Sequence, residues 1–132
     1  MSSYAGRGMD AKPQLLVVKG SFSSMGGAER DILRNLPYLA KLFSIKVATL
    51  DTVSELEMLC KKLRIPLMKP KENWKVPKDP ISIIRDSSTE SSMKSWKETD
   101  GLNEAILGSD MIHIISGDGS LSLVELIPES IP

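Results

Sequence analysis

The chain has little of what most site chemistries require. It carries one cysteine, Cys60, and one histidine, His113, in 132 residues. A single thiol forms no intrachain disulfide, and so sparse a use of cysteine fits a reducing compartment such as the cytoplasm. One histidine and one cysteine, far apart in the pattern, make no metal-ligand set. No stretch approaches the ~20 consecutive apolar residues that span a bilayer. The opening segment, MSSYAGRGMDAKPQ, has no apolar h-region and is not a secretory signal. Residues 1–13 read as a flexible polar leader. The net charge is zero, so nothing global points to nucleic acid. Neither the GK[ST] of a phosphate-binding P-loop nor a GxGxxG is present, which leaves an ATPase or a dehydrogenase unsupported. A GxSxG nucleophile elbow is missing too, which counts against a hydrolase.

What is present is an ordinary globular composition, 41% apolar and 26% charged, in a chain long enough for one domain with a real core. The charge is unevenly placed. Up to Asp79 there are fourteen Lys and Arg against eight Asp and Glu; from Pro80 onward there are three against nine. Such asymmetry between halves can mark a docking face.

Four strand–helix pairs follow one another. Gln14 to Gly20 is a continuous apolar run ended by Lys19 and Gly20, as in a strand buried on both faces of a parallel sheet. Ile32, Leu33, Leu36, Leu39, Ala40 and Phe43 recur at helical spacing, with Pro37 inside the pattern as a source of a kink. Phe43 to Leu50 reads as a second strand, Asp51 to Ser54 as N-cap residues, and Glu55 to Arg64 as a second helix. Cys60 lies in that helix as a buried, inert thiol. Ile65 to Met68 is a weak third strand, and Lys69 to Pro80 a Lys- and Pro-rich surface loop. Ile81 to Ile84 fits either a short strand or a helix start. Ser87 to Ser92 reads as a Ser-rich turn. Met93 to Leu107 reads as one helix with Trp96, Leu102, Ala105 and Ile106 inward and Gly101 weakening its middle. Asp110 to Ser116 is the last clear strand. Ser116 to Ser120 then turns the chain into a helix beginning at Leu121. The alternation implies an α/β, Rossmann-like parallel sheet flanked by helices over residues 14–132. The chain stops at ELIPESIP, and two prolines in its last five residues usually lead into something further. The expectation is a domain incomplete at its C-terminus.

In an open α/β sheet, ligands bind beyond the carboxyl ends of the strands. The loop GSFSSMGGAER, joining the first strand to the first helix, lies at that edge. Gly26 and Gly27 put no side chain between the backbone and a ligand, and the helix N–H groups behind them favour an anion. The physics predicts a cradle for a phosphate or carboxylate, against the plainer reading of a glycine turn that serves only chain reversal. Glu29 complements the helix dipole and is placed to cap the loop. Ser116 and Asp118, in the turn after the last strand, are placed to contact a hydroxyl or to cap the next helix. His113 alternates with apolar neighbours and reads as a hydrogen-bonded core histidine more readily than as a catalyst.

A strand, a Ser-containing loop, GGAER opening a helix, NLPYLAKLFSIKVATL, and then DMIHIIS about eighty residues after the glycines together resemble the family 4 glycosyltransferases. The similarity runs from about Leu15 to Glu125. It implies the N-terminal, acceptor-side half of a GT-B fold built of two Rossmann-like domains. By that resemblance Gly26 and Gly27 lie over the donor's phosphates and beside the acceptor, and Arg30 and Asp118 are placed for acceptor contacts. His113 matches the first of the family's two strand histidines. Ile115 stands at the second, the one usually placed at the reaction centre, so histidine-assisted chemistry does not carry over. The implied activity is transfer of a hexose from a nucleotide-diphosphate sugar to a sugar or lipid-linked acceptor, with no cofactor and no metal. The donor-binding C-terminal domain, with its paired glutamates, is not in this chain, which is therefore expected to be inactive alone. The basic run Lys61 to Lys78, with Trp74 inside it, reads either as a peripheral contact for an anionic membrane or as a solvated loop with one tryptophan packed on the domain. A non-catalytic Rossmann-like binding module is the competing function.

Overall fold

The computed structural model describes residues 12–22, 26–75, 87–115, 123, 124 and 127. In chain order the elements are β1 (Gln14–Val18), α1 (Gly27–Leu42), β2 (Ser44–Ala48), α2 (Ser54–Leu63), β3 (Leu67–Met68), α3 (Ser87–Lys97), α4 (Leu102–Leu107) and β4 (Met111–Ile114). The four strands form one parallel sheet in the order β3-β2-β1-β4. This is the α/β Rossmann-like arrangement that the alternating pattern implies.

β1 sits in the middle because its side chains are apolar on both faces. Its register runs from Gln14 opposite Ser44 to Val18 opposite Ala48 on one side, and from Leu15 opposite Met111 to Val18 opposite Ile114 on the other. Leu15 and Val17 join Leu36 of α1 and Leu56 and Cys60 of α2 in one core layer. Leu16 and Val18 join Trp96 of α3 and Leu102, Ala105 and Ile106 of α4 in the other. The period-two alternation of a strand thus feeds two helical layers at once.

The helices follow their apolar stripes. On α1, Leu36 is fully buried and Ile32, Leu33, Leu39, Ala40 and Phe43 pack around it. The helix runs through Pro37 without interruption, because tertiary packing of the stripe outweighs one lost backbone hydrogen bond. α2 closes on Arg64 in the left-handed conformation, φ 59°, and Ile65 donates its N–H back to the carbonyl of Cys60 at 2.8 Å.

Three expectations fail here, each for a physical reason. Ser87 to Ser92 is the first half of α3 rather than a turn. Ser91 accepts a hydrogen bond from the Trp74 indole at 2.9 Å and Ser92 is buried, so tertiary partners override weak local propensity. Residues 93–107 are two helices, because Gly101 adopts φ 81° and breaks the run before α4. Asp51 does not cap α2. Val53 holds the cap position without a side-chain bond, and Asp51 is buried elsewhere. Ile81 to Ile84 and the turn from Ser116 to Ser120 lie outside the described residues.

Cys60 is buried against the α1–α2 layer, and burial pushes its thiol up to about 11. The folded state therefore holds its proton above the pH at which the unfolded thiol, ordinarily near 9.0, loses it. Stability from this group is complete below that value and declines as pH rises towards about 11. Ellman's reagent should leave Cys60 unreacted in native buffer and label it fully in urea; rapid labelling of the native chain would place the thiol at the surface. At Gly101 an added Cβ would meet only the Met68 sulfur, at 3.9 Å, so its cost is backbone strain rather than crowding. Gly101→Ala should lower the urea-unfolding free energy by about 1–2 kcal/mol; an unchanged midpoint would mean that residue adopts another conformation.

Candidate functional site

The parallel arrangement brings the carboxyl ends of β1, β2 and β3 to one edge, and the loops that leave them meet there. From β1 the chain winds to β2 and β3 on one side, while β4 pairs on the other. The order therefore reverses between β1 and β4, and the crevice at such a switch point is where open α/β sheets take their ligands. Gly26 and Gly27 follow β1 on the loop that borders this point.

The two glycines have different reasons to be there. Gly26 is the N-cap of α1 with φ −78° and ψ −166°, a conformation any residue can adopt. What it lacks is room, since a Cβ would lie 3.3 Å from Oε2 of Glu29. Around Gly27 nothing lies within 4 Å of an added Cβ, so no contact within the described chain requires a glycine there. A bare backbone at the exposed start of a helix leaves space for a group from outside.

The first turn of α1 already holds a carboxylate. Glu29 is buried, folds back over Gly26, and places Oε1 3.8 Å from the ammonium of Lys19, also buried, at the end of β1. The helix dipole and Lys19 both favour that charge. A phosphate entering between Gly26 and the helix start would meet Glu29 first. The geometry suits a hydroxyl group, which donates to a carboxylate, better than it suits a second anion.

Next to this pair, Asp51 lies at the end of β2, only 2% exposed. Its Oδ2 accepts from the Ser21 hydroxyl at 3.1 Å and its Oδ1 from the Lys75 ammonium at 2.9 Å. Its backbone carbonyl accepts from the Phe22 N–H at 2.9 Å, and Ser21 and Asp51 form an isolated parallel bridge. The described start of the β1 loop, Ser21 and Phe22, is thereby held against the segment that leaves β2.

Of the residues singled out from sequence, Gly26, Gly27 and Arg30 stand together on the first turn of α1, all exposed. Arg30 donates its backbone N–H to the carbonyl of Gly26 at 3.1 Å. Ser116 and Asp118 lie outside the described residues. His113 corrects the expectation of a core histidine. It is exposed, because β4 is the outermost strand among the described residues and only Ile112 and Ile114 face the covered layer. Ile115 packs against the α1–α2 layer instead. Trp74 is buried, with its indole bonded to Ser91, while Lys61, Lys62, Arg64, Lys69, Lys71 and Lys75 of the basic run are exposed. The reading of a tryptophan packed on the domain is the one seen. Lys19, Ser21, Asp51 and Lys75 were not anticipated, yet the charged residues directly after an apolar strand were the signal available.

Two open clefts lie elsewhere. One, of about 420 Å³, is lined among the described residues by Lys71, Glu72, Glu98 and Asp100, three carboxylates against one ammonium. Another, of about 350 Å³, opens at the amino edge near Ala40, Leu63 and Arg64, where α1 and α2 present their carbonyl ends. Those carbonyl ends oppose an anion, and Lys12 there is already bonded to the carbonyl of Ala40 at 2.9 Å. Neither includes Gly26 or Gly27 in its lining.

No family model, no curated protein and no solved structure matches this chain.

The buried Lys19–Glu29 pair has a direct test. Lys19→Met leaves a buried carboxylate without its cation and should cost about 3–5 kcal/mol in urea unfolding. The double variant Lys19→Met, Glu29→Gln should recover much of that loss. Equal stability of Lys19→Met and the parent would show that the pair is solvated and contributes nothing.

Proposed function

We propose that this chain is the acceptor-side domain of a glycosyltransferase that moves a hexose from a nucleotide-diphosphate sugar to an acceptor hydroxyl, acting with a donor-binding half that this chain does not contain. The observation that carries the reading is the position of GGAER. Its glycines open α1 at the carboxyl edge, beside the point where the strand order reverses. The resemblance of GGAER and DMIHIIS to family 4 enzymes suggests the chemistry, and the place of the glycines at the carboxyl edge supports the reading. In this reading the open space at Gly27 lets an acceptor hydroxyl approach the backbone. Glu29 accepts from an acceptor hydroxyl and Arg30 lies within reach of the same ligand. Ser116 and Asp118, which follow β4 in the sequence, are the further candidates for acceptor contacts. Contact with an anionic membrane through Lys61–Lys78 would rest on charge alone, since Trp74 is buried.

The absence of a second histidine favours a different reading on one specific point. Ile115 is apolar and packed, so nothing at that position can assist the departing or attacking group. A module that binds a hydroxylated ligand without turning it over accounts for an apolar residue there.

Charge developing on a leaving nucleoside diphosphate needs positive or dipolar groups, and Glu29 opposes them at α1. The purified chain should accordingly release no nucleoside diphosphate from UDP-glucose above the buffer blank. Titration with glucose or UDP, followed by amide NMR, should shift Gly26, Gly27 and Ile115 and leave Ser44 and Ile65 at the amino edge unmoved. Shifts confined to the amino edge would remove the site, and measurable sugar transfer by the chain alone would remove the claim that a second half is needed.

A further inference from the structure

The stretch Thr49 to Thr52, which leaves β2, is gripped from both sides. On one side, the β1 loop lies against it. Leu50 donates its N–H to Gly20 at 3.1 Å, Thr49 donates its hydroxyl to the same carbonyl at 3.3 Å, and Phe22 donates to Asp51 at 2.9 Å. On the other side, the segment after β3 doubles back as a strap. Trp74 donates its N–H to Leu50 at 2.8 Å, and Asn73 and Thr52 exchange two longer bonds of 3.4 and 3.5 Å. One side chain reaches both grips. Asp51 takes Ser21 of the β1 loop on Oδ2 and Lys75 of the strap on Oδ1.

We propose that Asp51 is a positioning residue that couples the two loops, so that the strap Asn73–Lys75 holds the segment Gly20–Phe22 that leaves β1 in place. Asp51 is 2% exposed, so its carboxylate loses little by keeping both partners and much by losing one. Lys75 is the outer end of the clasp, with its side chain 69% exposed, and is the member that solvent and ions can draw away. When Lys75 leaves, the buried carboxylate is left with less positive charge, and the arrangement that also fixes Ser21 and Phe22 is the one that relaxes. The strap is also tied to α3, where the Trp74 indole donates to Ser91 at 2.9 Å. The coupling goes beyond the function proposed above and holds whatever ligand the carboxyl edge takes.

Amide hydrogen exchange on the whole chain tests it, with Lys75→Met, Ser21→Ala and Asp51→Asn as variants. In Lys75→Met, exchange of the Phe22 N–H, on the far loop, should rise about tenfold along with that of Trp74. In Ser21→Ala, the Trp74 N–H should respond in the same direction. The N–H groups of Ser44 and Ile65, bonded to Pro13 and Cys60 at the opposite edge, should keep parental rates in both. Two outcomes overturn the proposal. Faster exchange in Lys75→Met confined to the strap, with Phe22 unchanged, would mean that the loops are independent. A uniform rise that includes Ser44 and Ile65 would mean that Lys75 supports global stability only. If Asp51→Asn fails to fold, the two surface variants decide the question by themselves.

Discussion

The burial of β1 on both faces is the constraint from which the rest of this fold follows. A strand whose residues Leu15 to Val18 are apolar and buried on both faces cannot sit at the margin of a sheet or under one layer. It needs a strand on either side and helices above and below. β2 and β4 supply the first, and the pairs α1–α2 and α3–α4 supply the second. Because the central strand is also the first, everything that leaves its carboxyl end emerges in the middle of the edge. That is why Lys19, Ser21 and the Gly26–Gly27 loop lie where strand order reverses, and why a short chain has a defined candidate site at all.

Charge is placed at that edge in closed pairs. Lys19 meets Glu29 and Lys75 meets Asp51, with three of the four residues buried. Isolated charges there would be prohibitive to bury, so each carboxylate brings a cation with it. Among the described residues no buried side-chain nitrogen or oxygen is left without a partner. At this edge the carboxylates of Glu29 and Asp51 each lie beside a lysine ammonium.

Much of the architecture was legible in the chain, because it depends on periodicity. The stripe Ile32 to Phe43 and the inward set Trp96, Leu102, Ala105 and Ile106 are packed as their spacing requires. Local chemistry misled where tertiary partners intervened. Serines 87 to 92 look like a turn until Trp74 and its bond to Ser91 are known, and the sequence separation of seventeen residues hides that bond. Asp51 looks like a helix cap because caps are local, while its actual partners lie thirty residues before it and twenty-four after it. His113 looked buried because apolar neighbours flank it; alternation puts those neighbours on one face and the histidine on the other. For the site, the glycines were visible as glycines. Lys19 and Asp51 were visible only as residues that end strands, and that position needed to be weighed more heavily than residue type.

Glu29 joins these threads. In a helix start built for phosphate, the third residue would be indifferent or basic. Here it is acidic, buried and matched to a lysine on the adjacent strand. The carboxylate lies 3.3 Å from where a Cβ on Gly26 would be, sits 3.8 Å from the Lys19 ammonium, and meets the positive end of α1 from within the chain. A transferase that divides its work between two halves needs its phosphate charge held on the donor side and its reacting hydroxyl oriented on the other. An edge whose anion site is filled by its own glutamate can do the second task and is poorly made for the first. On the proposed reading, a carboxylate buried at the start of α1 leaves the phosphate charge to the donor side.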